Sequence, residues 1–294
     1  MSTNSPLSKF FKLYQVDYWL YKQSMLKGYL DSYDELKEDF QRLVKKVDDV
    51  DYINMLKLEI HFTYFQMIEA LFELIFAVET AYEKKDDQSL WFYLSFSDWR
   101  KNLRRIENIS NRNESILYKQ VGKDNQRSFL QYIFQFIYDP VLDPALNEKQ
   151  IDNMRSSLII FAKDFSDRNE YNAYKHSLRL YHSPMKMAIA REGTTNFEIL
   201  GQTDNAISFL EKDKDGIIYE TSKGFDPERD YNMSLLIDIL IKNIINTRRS
   251  YYLNEDMPYY SFVELDLSSI NISKGSFIKT SFPILKLKKP ESDH

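Results

Sequence analysis

The chain of 294 residues is long enough for one large domain or two ordinary ones, and its 43% hydrophobic and 28% charged content is that of a folded globular protein. With no cysteine it can form neither a disulfide frame, a thiolate nucleophile nor a thiolate metal site. A net charge of −5 gives no global attraction to nucleic acid, so any such binding must rest on a local patch.

Only 7 glycines and 8 prolines argue for long helices rather than a sandwich or barrel. Aromatics are abundant at 15%, which points to large aromatic cores or interfaces. The first residues, MSTNSPLSKFF, lack the basic-then-apolar layout of a signal peptide, so a cytoplasmic protein is expected.

In chain order, Phe10, Tyr14, Tyr18, Tyr21 and Met25 recur every three or four residues, predicting one amphipathic helix that ends at Gly28. A second is expected over 34–47, with Leu36, Phe40, Leu43, Val44 and Val47 on one side. The longest helical pattern covers 51–85, about 50 Å at 1.5 Å per residue. Between Ile60 and Val78 it is apolar on nearly every side, which predicts a helix through the middle of the fold. His61, Gln66, Glu69 and Glu73 interrupt that run, and carboxylates near the middle of a membrane span would be costly. A buried helix with no membrane association is therefore expected.

Gln66, Glu69 and Glu73 form a polar seam at i, i+3, i+7 on that helix. Buried carboxylates need a partner, expected here from cations of residues 168–179. The Glu-x-x-His pairs of di-metal bundles are absent, so no metal is assigned.

The segment LWFYLSFSDW should be buried or interfacial, and Arg100, Lys101, Arg104 and Arg105 follow as a basic run on a helix. Such a run is a solvated face or a contact for RNA phosphates. Two further helices are expected, over 129–138 and from about Asn147 through Ile151, Met154, Leu158, Phe161 and Phe165.

Residues 167–180 (DRNEYNAYKHSLRL) crowd chemically useful side chains at helical spacing. With about 100° per residue, Asn172, Lys175 and Arg179 fall within about 40° of Arg168, and His176 lies about 80° away. Tyr171, Tyr174, Leu178 and Tyr181 form a second stripe, the one expected to bury.

After residue 191 the character changes. Short runs at 197–201, 206–211 and 217–221, separated by QTDN and KDKDG, predict a small antiparallel meander. Asp226-Pro227 opens a long helix with an apolar face from Met233 to Ile245, and 263–267 and 277–287 read as extended. The expected fold class is mainly α: a multi-helix bundle around a long central helix over 1–190, then an α+β part over 191–294.

Glycine-rich phosphate loops and a Gly-x-Ser-x-Gly elbow are absent, so no cofactor is implied. A long buried helix, a following bundle and the Arg168-Asn169…Asn172-x-x-Lys175-His176 segment resemble the HEPN superfamily over residues 50–182. That resemblance implies an all-α, dimeric RNA-binding protein or metal-independent endoribonuclease of a bacterial toxin or phage-defence system. The family pattern places four to six residues between its arginine and histidine, where this chain has the seven residues 169–175. Either the register shifts and Lys175 or Arg179 supplies the charge, or the domain is a non-catalytic relative.

The chemistry the resemblance implies has His176 as acid or base, Arg168 or Arg179 on the phosphoryl oxygens, and Asn172 orienting the phosphate. The supporting seam is Gln66, Glu69 and Glu73. Two other readings stand beside it. One is a non-catalytic helical module that binds a protein partner, as a sensor or antitoxin does. The other is a small-molecule enzyme pairing Glu69 with His176.

Overall fold

A computed structural model describes residues 6–43, 48–86, 89–122, 127–137, 144–175, 180–190, 197–256 and 279–286. Its helices are α1 (Pro6–Leu13), α2 (Tyr18–Asp31), α3 (Tyr33–Leu43), α4 (Asp49–Lys84), α5 (Leu90–Ser95), α6 (Trp99–Ser110), α7 (Phe129–Phe134), α8 (Pro144–Ser166), α9 (Asn169–Lys175) and α10 (Pro227–Leu253). Its strands are β1 (Gln120–Val121), β2 (Arg127–Ser128), β3 (Leu180–His182), β4 (Met185–Ala190), β5 (Phe197–Thr203), β6 (Ala206–Lys212), β7 (Ile217–Gly224) and β8 (Lys279–Lys286). The mainly helical class with a later antiparallel sheet and long helix is as the sequence predicts.

The chain divides into two compact units that interleave along the sequence. Residues 1–24, 63–167 and 232–270 form the first; residues 25–62, 168–231 and 271–294 form the second.

The central element is α4, a continuous 36-residue helix without a glycine or proline inside it. Asp49 and Asp51 in its first turn and Lys84 in its last complement the helix dipole. Lys85 closes it in the left-handed region at φ 52°, as Arg112 and Asn254 do after α6 and α10. Leu71, Phe72 and Ile75 are fully buried. By length and composition α4 could cross a membrane, yet 78% of its most apolar window is buried within the protein.

In the first unit, α6 packs along α8, with α7 beside α8 and α1 beside α5. Phe161 and Phe165 of α8, Ile106 and Ile109 of α6, and Phe129 and Phe134 of α7 supply much of its core. Helix α7 opens with a capping box between Ser128 and Gln131. Arg127 donates to the carbonyls of Gln131, Gln135 and Phe136 at the other end of α7. The apolar face of α10 lies where the sequence puts it, with Met233, Ile237, Leu240, Ile241, Ile244 and Ile245 buried. Arg248 is buried too, its guanidinium donating to the carbonyls of Ile133 and Tyr132 at 2.7 and 3.2 Å.

In the second unit, an antiparallel sheet of order β3-β6-β7-β8 carries α9 against β3 and β6, and β4 and β5 form a separate hairpin. Leu26, Leu56 and Ile60 make an apolar cluster, joined by Leu30, Tyr52 and Tyr231. The β6–β7 turn is closed by Asp213, which accepts from the N–H groups of Asp215 and Ile217, and by Gly216 at φ 83°.

Four expectations are corrected. The first predicted helix is two: the chain breaks over residues 14–17, and Asp17, a residue suited to the cap, accepts from the Tyr21 N–H to start α2. Phe10 of the expected core stripe is buried, but its α2 part is turned outward, with Tyr21 68% exposed, because Gln23 and Leu26 are the buried residues there. The helix also passes through Gly28 to Asp31, aided by the Lys27–Asp31 pair at i, i+4.

Among the described residues of the predicted 167–180 helix, Asn169–Lys175 is helical, but Leu180–His182 is a strand in register with Ile207–Phe209. Pairing to a sheet edge outweighs helical phase there, and Tyr181 is exposed rather than buried. The meander is also rearranged: β5 pairs with β4, while β6 lies between β3 and β7. Finally, the predicted 129–138 helix ends at Phe134, and α8 begins at Pro144, ahead of Asn147. Residues 44–47 of the second predicted helix and the predicted strand at 263–267 lie outside the described residues.

Candidate nucleic-acid interface

Helix α6 is capped by Asp98, whose carboxylate accepts from the Lys101 N–H at 3.1 Å. Asn102, Ile106 and Ile109 then bury at i, i+4, i+7, and Trp99 meets Phe165 edge-on with centroids 5.9 Å apart. That orientation forces Arg100, Lys101 and Arg104 onto the opposite, exposed face. Arg105 lies between the two faces. It is held by Glu79 and Glu114 and sits 4.0 Å over the Phe76 ring, so it braces the fold. Its Nε and Nη2 bond those two carboxylates, which sets it apart from the exposed Arg100, Lys101 and Arg104.

Just upstream, α5 is too short to bury two faces. Leu90 goes inward, leaving Trp91, Phe92 and Phe96 exposed by 47%, 58% and 72%. Phe92 and Phe96 pack together at 4.4 Å, and Trp91 stacks on Phe10 at 6.1 Å. Of the segment expected to be buried or interfacial, Leu90 is buried and these three rings are exposed. Between Phe96 and α6 lies a groove of ≈ 220 Å³ lined by Tyr93, Phe96, Asp98, Lys101, Asn102 and Arg105. Burial and the nearby Asp86 carboxylate push the Tyr93 phenol above its ordinary pKa, keeping it a neutral hydroxyl.

The polar seam of α4 supports this groove. Glu73 accepts from the Ser97 hydroxyl and from the Asn102 amide at 2.9 Å. Its partners are neutral groups beside the start of α6, so the cation expected for Glu69 or Glu73 is not found at Glu73. Gln66 accepts from Lys22 at 2.8 Å, and Glu69 is half-buried.

The Arg168 stripe belongs to the second unit. Arg168 is half-buried at the start of α9, its carbonyl accepting from the Asn172 N–H at 3.0 Å. Asn172 and Lys175 are exposed, with the Lys175 ammonium 4.4 Å over the Tyr171 ring. His176 and Arg179 lie outside the described residues.

The sequence reading missed a charged cluster buried in the second unit. His61 Nδ1 lies 2.6 Å from Asp230, and Lys223 donates to Glu170 at 2.6 Å. Arg229 contacts Asp230 at 3.3 Å, and His61 Nε2 is 3.9 Å from Glu170. All five residues are buried, and Phe225 lies over the imidazole at 4.8 Å. Because a carboxylate only accepts, His61 Nδ1 carries the proton. Around it, Lys223 and Arg229 face Glu170 and Asp230, two cations and two anions. Beside it, Tyr174 stacks on Phe62 at 4.0 Å and donates to Glu59 at 2.9 Å. Burial and that bond hold its phenol at a pKa of about 12.

An imidazole oriented by a carboxylate can move protons, but this one is enclosed by side chains, so its present role is to tie α4, α9, β7 and α10 together. Among the described residues no group of three or more His, Asp or Glu is arranged to hold a metal ion. No known protein-family model, curated protein or solved structure matches the chain.

Proposed function

We propose that this chain binds single-stranded RNA on the surface formed by α5 and α6. The observation that carries the reading is that Phe96 and Lys101 line one groove, with exposed Trp91 and Phe92 on α5 and exposed Arg100 and Arg104 on α6, the next helix in the chain. A chain of net charge −5 that nonetheless concentrates cations beside exposed aromatics has a local patch suited to a polyanion with π-faces. Bases stack on rings whatever their identity, and the cations track the backbone. Base stacking favours a single strand, whose bases are free to splay.

The resemblance to HEPN proteins adds cleavage to this reading. Cleavage would rest on His176 with Arg168, Lys175 or Arg179 and would proceed without metal. His176 and Arg179 lie outside the described residues, so the binding surface alone carries the proposal.

The test is fluorescence anisotropy with labelled single-stranded RNA, its DNA counterpart and a duplex of equal length. Single-stranded RNA should bind best. Phe96→Ala should weaken binding by about 5- to 100-fold, the equivalent of losing one stacked base. Equal affinity in Phe96→Ala and in an Arg100→Gln/Lys101→Gln/Arg104→Gln variant would reject the surface.

A second reading, a protein-binding module, is supported by α2, which exposes Tyr18, Tyr21, Met25 and Tyr29 along one stripe. We assign that stripe to a second copy of the chain. Light scattering should then show a dimer that Tyr21→Glu converts to monomer, and a monomeric wild type would exclude it.

A further inference from the structure

The first unit contains a second cavity, independent of α5 and α6, along one face of α10. It measures ≈ 330 Å³, and Leu20, Leu235 and Ile239 give it apolar walls. Its polar lining includes Asp238, Lys242 and Asn246, spaced at i, i+4, i+8 on the helix so that they share that face.

The charges around it do not balance. Lys242 bridges Asp17 and Asp238, at 2.7 and 2.8 Å, leaving two carboxylates on one ammonium. Asp238 is only 3% exposed, and the Lys242 bond occupies its Oδ2. Asp238 also accepts from the Leu20 backbone N–H, while its Oδ1 and the Asn246 Oδ1 are buried atoms with no donor at full hydrogen-bond geometry among the described residues. Leaving a buried acceptor unpaired costs about 1–3 kcal/mol, which marks such an atom as waiting for a donor. Burial raises the Asp238 carboxyl above the ordinary carboxylate range, with Asp17 adding to the rise and Lys242 and the Leu20 N–H only partly offsetting it.

The acceptors dictate the ligand. A carboxylate oxygen in a site of net charge −1 calls for a cation, and an amide oxygen eight residues along calls for a second donor. Eight residues of helix separate the two Cα atoms by about 12 Å. Allowing for the reach of both side chains, the two donors must be a few methylenes apart, and the methylenes would lie against Leu20, Leu235 and Ile239. We infer that this cavity binds a short linear aliphatic amine, its ammonium on Asp238 and a second N–H or O–H donor at its far end on Asn246.

Isothermal titration of the full chain, at matched ionic strength, tests this with 1,4-diaminobutane, 1-butylamine and butane-1,4-diol. The diamine should bind saturably with Kd near or below about 1 mM. Butylamine should bind several-fold more weakly, and the diol should not bind. Asp238→Asn should weaken the diamine at least about tenfold, the cost of one charge-assisted bond. That variant should remain folded, because it removes a charge that burial disfavours.

Asn246→Ala, at a half-buried position, supplies an independent check: diamine and butylamine should become equal while both still bind. Absence of saturable diamine binding by the wild type would overturn the inference. So would diamine affinity unchanged by both variants, or equal binding of the diol.

Discussion

Lys223→Met probes the buried charges of the second unit. In the native chain the Lys223 ammonium sits 2.6 Å from Glu170, whose side chain is 1% exposed. At an effective dielectric of about 20 that contact is worth roughly 6 kcal/mol of gross Coulomb attraction. The attraction is largely consumed by desolvating both ions, several kcal/mol each, so the intact pair contributes little net stability. Removing only the lysine leaves the desolvation cost of Glu170 without its counter-charge. The expected loss is about 3–5 kcal/mol, a large share of the total stability of a typical domain.

Urea denaturation followed by circular dichroism measures it, with m unchanged if the native state stays compact. Adding Glu170→Met should recover most of the loss, because a well-packed apolar pair replaces the ions. A loss below about 1 kcal/mol for Lys223→Met, or no recovery in the double variant, would refute the reasoning.

Two other outcomes are expected. Leu71→Ala, at a fully buried position of α4, should cost about 2–5 kcal/mol in the same assay, whereas Leu71→Asp should fail to fold. Tyr174 has its folded pKa raised to about 12 from 10.0, so its contribution is complete below pH 10 and is lost as pH rises through 12. Tyr174→Phe should therefore be less stable than wild type by a constant amount below pH 10, with the gap narrowing above it.

Sequence alone revealed the elements whose pattern is independent of partners. Helix α4 is apolar around its circumference and unbroken by glycine or proline, so little but a buried helix accommodates it. The apolar face of α10 was legible for the same reason. Helix α2 was harder, since it offers two apolar stripes. The Tyr21 stripe satisfies helical spacing as well as the Leu26 stripe does, and only tertiary packing chooses between them. Helix α9 was overextended because Leu180 and Tyr181 keep a helical phase while the edge of β6 claims them.

The surface on α6 was half legible. Spacing brings Arg100, Lys101 and Arg104 together, but nothing local says that Arg105 is claimed by Glu79 and Glu114. The buried cluster was illegible, because His61, Glu170 and the Lys223–Asp230 stretch are far apart in sequence and meet only in the folded chain. The cavity on α10 was equally hidden, since Asp17 and Leu20 reach it from the other end of the chain.

The central claim is that three cations of α6 hold a single RNA strand, and the salt dependence of binding tests it most directly. Displacement of counterions contributes about −0.7 to the slope of log affinity against log salt for each phosphate neutralised on a single strand. Arg100, Lys101 and Arg104 should therefore give a slope of about −2, falling toward zero in the Arg100→Gln/Lys101→Gln/Arg104→Gln variant. A slope that survives in that variant, or no saturable binding by the wild type at low salt, would contradict the claim.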